Sequence, residues 1–304
     1  MSAANLDRAF LRGSYVPLVT PFTDSGDVNE EVYASLVEHQ VANGSSGVVV
    51  TGTSGEPSLL TIDERARLIE IAVKAAAGRV GVVAGTGGQT LPETLELTRR
   101  AERAGANAVL VVTPYYVKPP QRGLVDYFTT VASSVGLPVL IYNIPGRAGV
   151  SMTVDSIAEV AEGVGNLVGV KHASNDLGFA TDLLVRLGRE FRLFCGLEEL
   201  SFPMLAIGAA GLMNAVGNIA PGRIARLCAA VLAGELDQAR ELHFELFELN
   251  QAVFWDTNPI PVKYLMVKLG LLPGNNHRPP MSPAPAQLRQ RLDDLLGRLT
   301  WLPE

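Results

Sequence analysis

Lys171 holds the position with the clearest chemical potential in this 304-residue chain. It closes the apolar run Leu167-Val-Gly-Val-Lys171. Strand alternation puts Leu167, Gly169 and Lys171 on one face and Val168, Val170 and His172 on the other. Gly169 is expected to leave open space beside the lysine. Burial disfavours an ammonium ion, so a lysine desolvated there can offer the neutral amine that condenses with a carbonyl substrate to a Schiff base. A lysine paired with a buried carboxylate, or one snorkelling from the strand end, reads the same in sequence.

Tyr142 ends the preceding run, in Val139-Leu-Ile-Tyr142-Asn-Ile-Pro-Gly-Arg147. A phenol near a Schiff-base lysine can shuttle protons through carbinolamine dehydration and the carbon–carbon step; a core tyrosine with a satisfied hydroxyl is the plainer reading. Arg147 is either a bidentate carboxylate clamp or a solvated loop arginine. Gly52-Thr-Ser-Gly-Glu56 supplies two adjacent hydroxyls, Thr53 and Ser54, and loop N–H groups suited to a carboxylate. A plain Gly/Ser turn would look alike. Gly85-Thr-Gly-Gly88 only partly matches a dinucleotide loop, because Thr90 stands at the third glycine position. His39, His172, His243 and His277 are scattered, and His243 with Glu245 has i,i+2 spacing that points to different helix faces, so no metal site is expected. Cys195 and Cys228 are the only cysteines, which excludes a disulfide framework or thiolate cage.

These residues need elements to position them. Apolar, β-branched runs lie at 15–22, 47–53, 80–85, 108–113, 138–144, 167–173, 192–196 and 211–216, as for parallel strands covered on both faces. Amphipathic helices are expected between them at 65–77, 93–104, 123–135, 153–162 and 180–187. Thr61-Ile-Asp-Glu64 has the spacing of a capping box, and Gly44, Gly78, Gly105, Gly136 and Gly188 stand where helices should end. Eight β-then-α units over 1–233 predict an α/β fold of the (β/α)8 TIM-barrel type, with a doubly wound sheet as the alternative. The eighth barrel helix is expected at 221–233. A C-terminal helical segment, 234–304, with helices at 236–253, 260–269 and 286–299, is expected to pack on the barrel. In such a barrel the chemistry sits at the C-terminal strand ends, where Lys171, Tyr142 and Thr53 fall.

Apolar residues make up 47% of the chain and charged residues 18%, enough to bury a large core. A net charge of −6 argues against a nucleic-acid surface. The apolar runs are too short to span a bilayer, and residues 1–14, with Asp7, Arg8 and Arg12, carry no export-signal stretch, so a cytoplasmic location is expected.

Taken together, Gly52-Thr-Ser-Gly-Glu56, Tyr142-Asn-Ile-Pro-Gly-Arg147 and Gly169-Val-Lys171 resemble the motifs of the dihydrodipicolinate synthase/N-acetylneuraminate lyase superfamily of pyruvate-dependent class I aldolases. The resemblance extends to Asn258-Pro-Ile-Pro-Val-Lys263 and covers nearly the whole chain. It implies a homotetramer, a dimer of dimers, that uses no cofactor. Lys171 would form the imine with pyruvate, and Tyr142 would be the proton-shuttling tyrosine. Thr53 and Ser54 would bind the pyruvate carboxylate, with Thr53 relaying protons. Tyr116 would be lent across a dimer interface to complete the relay. Gly196 and Met213 would lie beside the substrate, and Arg147 would take the carboxylate of aspartate semialdehyde at the mouth, as in the synthase branch.

Some positions depart from the synthase pattern. Ser54 stands where threonine is usual, Asn214 where a small residue or serine is usual, and Cys195-Gly-Leu-Glu-Glu199 replaces a more polar stretch. Glu93 matches a lysine-binding glutamate, but Ile62 and Arg65 stand where feedback-regulated members carry histidines, so lysine inhibition should be weak or absent. The departures keep two further readings open. One is a catabolic pyruvate-dependent aldolase or dehydratase acting on a 4-hydroxy-2-oxo acid or diacid. The other is a keto-acid-binding protein without catalysis.

Overall fold

The computed structural model describes residues 10–302; residues 1–9, with Asp7 and Arg8, and 303–304 lie outside it. Strands β1 (Gly13–Pro17), β2 (Gly47–Val50), β3 (Gly81–Gly85), β4 (Ala108–Val112), β5 (Val139–Asn143), β6 (Leu167–His172), β7 (Arg192–Cys195) and β8 (Gly211–Leu212) pair in parallel in chain order. β8 returns to β1, so the sheet closes. This is the (β/α)8 barrel, and not the doubly wound sheet.

The outer layer comprises α1 (Glu30–Ala42), α2 (Ile62–Ala76), α3 (Leu91–Ala104), α4 (Gln121–Ser133), α5 (Pro145–Ala148), α6 (Val154–Gly163), α7 (Leu177–Leu187), α8 (Ser201–Ala206) and α9 (Pro221–Ala233). A C-terminal helical region follows in α10 (Leu236–Ala252), α11 (Ile260–Lys268) and α12 (Ala286–Arg298). Helix α2 opens on the Thr61–Glu64 capping box, with both reciprocal hydrogen bonds made. Among the described residues no helix is long and apolar enough to cross a membrane.

Side chains fill the barrel in two shells. Outside, strand residues such as Val48, Val109 and Val170 pack with the helices; inside lie Tyr15, Val49, Leu110, Leu140, Tyr142, Phe194 and Met213. Tyr15 plugs the N-terminal end, stacked edge-on against Phe194 with ring centres 5.6 Å apart. A Cβ at Gly47 would come within 2.2 Å of that tyrosine ring, so only glycine fits beneath it.

Several expectations need correction. β1 stops at Pro17, and the next turn is instead pinned by Asn218, whose side chain accepts from Val19 N–H. β8 has two residues, because the chain turns into a 3-10 helix at Ala215–Asn218. α4 ends at Ser133, so Gly136 is no cap; its N–H donates to the Glu102 carboxylate at 2.7 Å. On β6, Leu167 pairs with Val139 but Gly169 with Leu140, and this register shift breaks simple alternation. Leu167 packs in the outer shell with Val170, while Val168 joins the inner one. Nor does Gly169 leave open space: a Cβ there would meet the Arg192 carbonyl oxygen at 2.2 Å. That glycine lets β7 approach.

Candidate active site

Lys171 sits one residue before the end of β6 and is 3% exposed. Its shaft runs past Gly196, where a Cβ would lie 2.8 Å from Lys171 Cε; any side chain at 196 would displace the lysine. Among the described residues the amine has no hydrogen-bonded or carboxylate partner; it lies 4.2 Å from the centre of the Tyr142 ring. It faces a chamber of about 60 Å³ lined also by Thr53, Ser54, Arg147, Glu198 and Met213. Of the residues expected from sequence, the fold therefore gathers Lys171, Tyr142, Thr53, Ser54, Arg147, Gly196 and Met213 at one place.

Tyr142 is inward-facing on β5, and its hydroxyl lies 3.2 Å from Thr53 Oγ1, a link along which a proton can pass. Thr53 and Ser54 belong to a 3-10 turn just beyond β2. Between strand and turn, Thr51 holds φ at 53°, a left-handed conformation costly for a β-branched residue. Its hydroxyl donates to the Val50 and Gly85 carbonyls, which fixes the bend. The turn is further tied to the C-terminal region: Asn258 Nδ2 donates to Ser54 Oγ at 3.1 Å. Glu56, itself buried and left-handed, pairs with Lys263 at 2.5 Å and His277 at 3.2 Å. Ser54, Glu56, Asn258 and Lys263 all lie in the sequence motifs, but spacing gives no sign that Asn258 meets Ser54 or that Lys263 meets Glu56.

Arg147 rides the short helix α5, whose loop is anchored where Asn143 Oδ1 accepts from Met152 N–H. Its guanidinium donates to the Asn258 carbonyl at 3.3 Å, leaving it exposed at the mouth. Beyond the mouth a larger cavity of about 310 Å³ runs between the strand-end loops and Pro259, Pro280 and Met281. Tyr115 lines it. Tyr116 lines neither cavity; it points outward, 84% exposed, with φ at 74°.

The remaining titratable groups are readily placed. His172 faces outward and stacks on Phe179 with ring centres 4.4 Å apart, and burial pushes its pKa down. Burial pushes the Cys195 thiol up to about 12, so it stays protonated. No cluster of three metal-ligating side chains forms among the described residues.

A buried amine without a hydrogen-bonded partner, facing a small chamber with a phenol and a hydroxyl beside it, is equipped for imine chemistry on a small carbonyl compound. On this barrel that defines a class I, imine-forming lyase. A family model, the dihydrodipicolinate synthetase family, matches residues 10–299. The chain belongs to that family. It is 48% identical over 294 residues to the 4-hydroxy-tetrahydrodipicolinate synthase of Thermus thermophilus, covering 96% of this chain and 98% of that one. The crystal structure of dihydrodipicolinate synthase from Aquifex aeolicus superposes with a TM-score of 0.92 at 39% identity, over 94% of this chain and 97% of that one. The chloride-inhibited dihydrodipicolinate synthase from Acinetobacter baumannii, complexed with pyruvate, gives 0.92 at 35% identity, over 95% and 99%.

Proposed function

We propose that this protein condenses pyruvate with L-aspartate 4-semialdehyde to 4-hydroxy-tetrahydrodipicolinate, the entry step to diaminopimelate and lysine. The observation that carries the reading is the unpaired, buried amine of Lys171 facing the Tyr142–Thr53 pair. The names of the relatives, one of them complexed with pyruvate, support the substrate assignment.

In this reaction the Lys171 amine attacks the keto carbon of pyruvate, and the keto oxygen leaves as water. Ser54 and Thr53 hold the pyruvate carboxylate. Tyr142 passes protons between the carbinolamine oxygen and Thr53, then removes one from the methyl group to give the enamine. The enamine carbon attacks the aldehyde, whose carboxylate is held by Arg147 at the mouth. Met213 and Gly196 bound the space around the new bond. Tyr116, exposed in its own chain, completes the proton relay of a second copy in a homotetramer, and the enzyme works in the cytoplasm.

The test is the rate with both substrates, coupled to dihydrodipicolinate reductase, with Lys171→Ala as control. A turnover of about 1 to 10³ s⁻¹, abolished in the variant, is the expected result. A negligible rate, with pyruvate still trapped on Lys171 by borohydride, would replace the synthase with a pyruvate-dependent aldolase for another aldehyde.

A further inference from the structure

Glu198 lies within the Lys171 chamber, yet the mechanism above leaves it idle. It is 1% exposed and opens the 3-10 turn Glu198–Leu200 that follows β7. Its main chain is firmly held: Ser201 Oγ donates to its carbonyl at 2.7 Å and Asn250 Nδ2 at 3.3 Å. One carboxyl oxygen, Oε1, accepts from Ala215 N–H at 2.5 Å. The other, Oε2, is buried and makes no well-formed hydrogen bond, although the N–H groups of Glu198 itself and of Val216 lie near the carboxyl. Asn214 Oδ1 and Asn250 Oδ1, in the same hydrogen-bonded nest, are also buried acceptors without donors. The nest behind the lysine is rich in acceptors and short of protons.

We infer that Glu198 is the buried counter-charge of the iminium that forms on Lys171, an inference that rests on the imine chemistry proposed above. Of the residues lining the chamber, Glu198 is the only carboxylate. A persistent positive charge on a buried nitrogen needs negative charge that solvent cannot supply; the substrate's carboxylate is engaged by the Thr53 and Ser54 hydroxyls, and Glu198 is the counter-charge the protein itself provides. Burial pushes the Glu198 carboxyl up to about 7, opposed by the N–H groups of Ala215 and of Glu198 itself, then by the charge of Lys171 and the Val216 N–H. The titratable groups acting on it are Lys171 from β6 and Cys195 from β7, the latter protonated; Tyr142 from β5 and the Arg147 guanidinium from α5 line the same chamber, and Ser201, Asn250 and Asn214 add neutral groups from α8, α10 and the segment after β8.

Proton and charge then balance within the chamber. The amine nitrogen bonds to the keto carbon, the keto oxygen departs as water, and one proton beyond those of a neutral amine is consumed. The carboxyl of Glu198 supplies that proton. Counted over the two groups, one proton shared by the Lys171 amine and the Glu198 carboxyl ends on the iminium nitrogen, opposite a carboxylate, with no net charge gained.

The experiment is borohydride trapping of pyruvate across pH, followed by protein mass, in wild type, Glu198→Gln, Glu198→Asp and Lys171→Ala. Borohydride reduces the iminium rather than the neutral imine, so the alkaline limb of the profile reports the iminium proton. In Glu198→Gln that limb should fall by about one pH unit or more, with trapping at a fixed pyruvate concentration above it reduced about tenfold. Glu198→Asp should restore part of the shift. Superimposable profiles in wild type and Glu198→Gln would overturn the role of Glu198 alone, whereas no trapping in wild type would overturn the imine reading with it. A measurement on wild type avoids any folding defect. With ¹³C-labelled pyruvate moving its own bands aside, infrared difference spectra below neutral pH should show one protonated carboxyl lost on binding. That loss should be missing in Lys171→Ala; an unchanged carboxyl region in wild type would refute the proposal.

Discussion

The molecule buries two lysines in two ways. Lys263, on α11, is 1% exposed, and its ammonium meets Glu56 at 2.5 Å and the Asn276 carbonyl at 2.9 Å, above the face of Phe22. Lys171, 3% exposed, has a tyrosine ring and an open chamber. Burial lowers the pKa of Lys263 while Glu56 raises it, so that lysine belongs to an ion pair that clasps the β2 turn to the C-terminal region. The first lysine spends its charge on structure. The second keeps its nitrogen clear of any hydrogen-bonded partner and facing the chamber, where a substrate carbonyl can reach it. Exposure alone does not separate the two; the partner does.

Matched substitutions sharpen the contrast. Lys171→Met should lower turnover by more than about 10³-fold and abolish trapping of pyruvate, yet leave thermal unfolding at or above the wild-type temperature, since no ion pair is lost. Lys263→Met should do the reverse. It strands Glu56 and should destabilise by about 3–5 kcal/mol in thermal or denaturant unfolding, with turnover falling only as far as the Thr53–Ser54 turn loosens. Adding Glu56→Gln should return part of that loss. If both lysine variants cost equal stability, the distinction fails.

A smaller effect concerns the carboxylates. Glu198 has a raised pKa in the folded protein, so its neutral form contributes stability that is complete below about 4.5 and lost as pH rises toward about 7. Glu198→Gln escapes that loss. Relative to wild type it should gain of order 3 kcal/mol between those limits, read as a difference in unfolding temperature that widens with pH. A difference independent of pH would show the carboxyl to be charged throughout.

The smallest expected effect is none. Arg65, buried on α2, donates to Glu93 at 3.3 Å and to the Gly85 and Gly87 carbonyls at 3.0 Å. The glutamate that would take an effector's ammonium thus already holds a guanidinium. Millimolar L-lysine should leave the rate unchanged, and strong inhibition would sink this reading.

Much of this was legible from one sequence. The barrel followed from the count of apolar runs and helical segments, because parallel strands covered on both faces are apolar along their length. Thr61–Glu64 announced its capping box because all its partners are local. The site motifs fell at strand ends and the fold gathered them. What stayed hidden depended on register or distant partners. The bulge at Val139–Leu140 moved Leu167 out and Val168 in, and no alternation rule sees a bulge formed with a neighbour strand. Gly169 read as empty space but serves the approach of Arg192 from β7. Glu198 was visible only as one acid in a divergent stretch.

Chain chemistry alone therefore settled the elements, their order and the kinds of groups brought to the strand ends, because hydrophobic period, caps and turn residues act over a few positions. Tertiary structure decided which charges are neutralised. Glu56 and Lys263 are 207 positions apart, yet they close on each other when the C-terminal region packs over the β2 turn. Lys171 and Glu198 are placed by different strand ends around one small chamber. A charge's role depends on what surrounds it in three dimensions, and at that range sequence spacing carries no information.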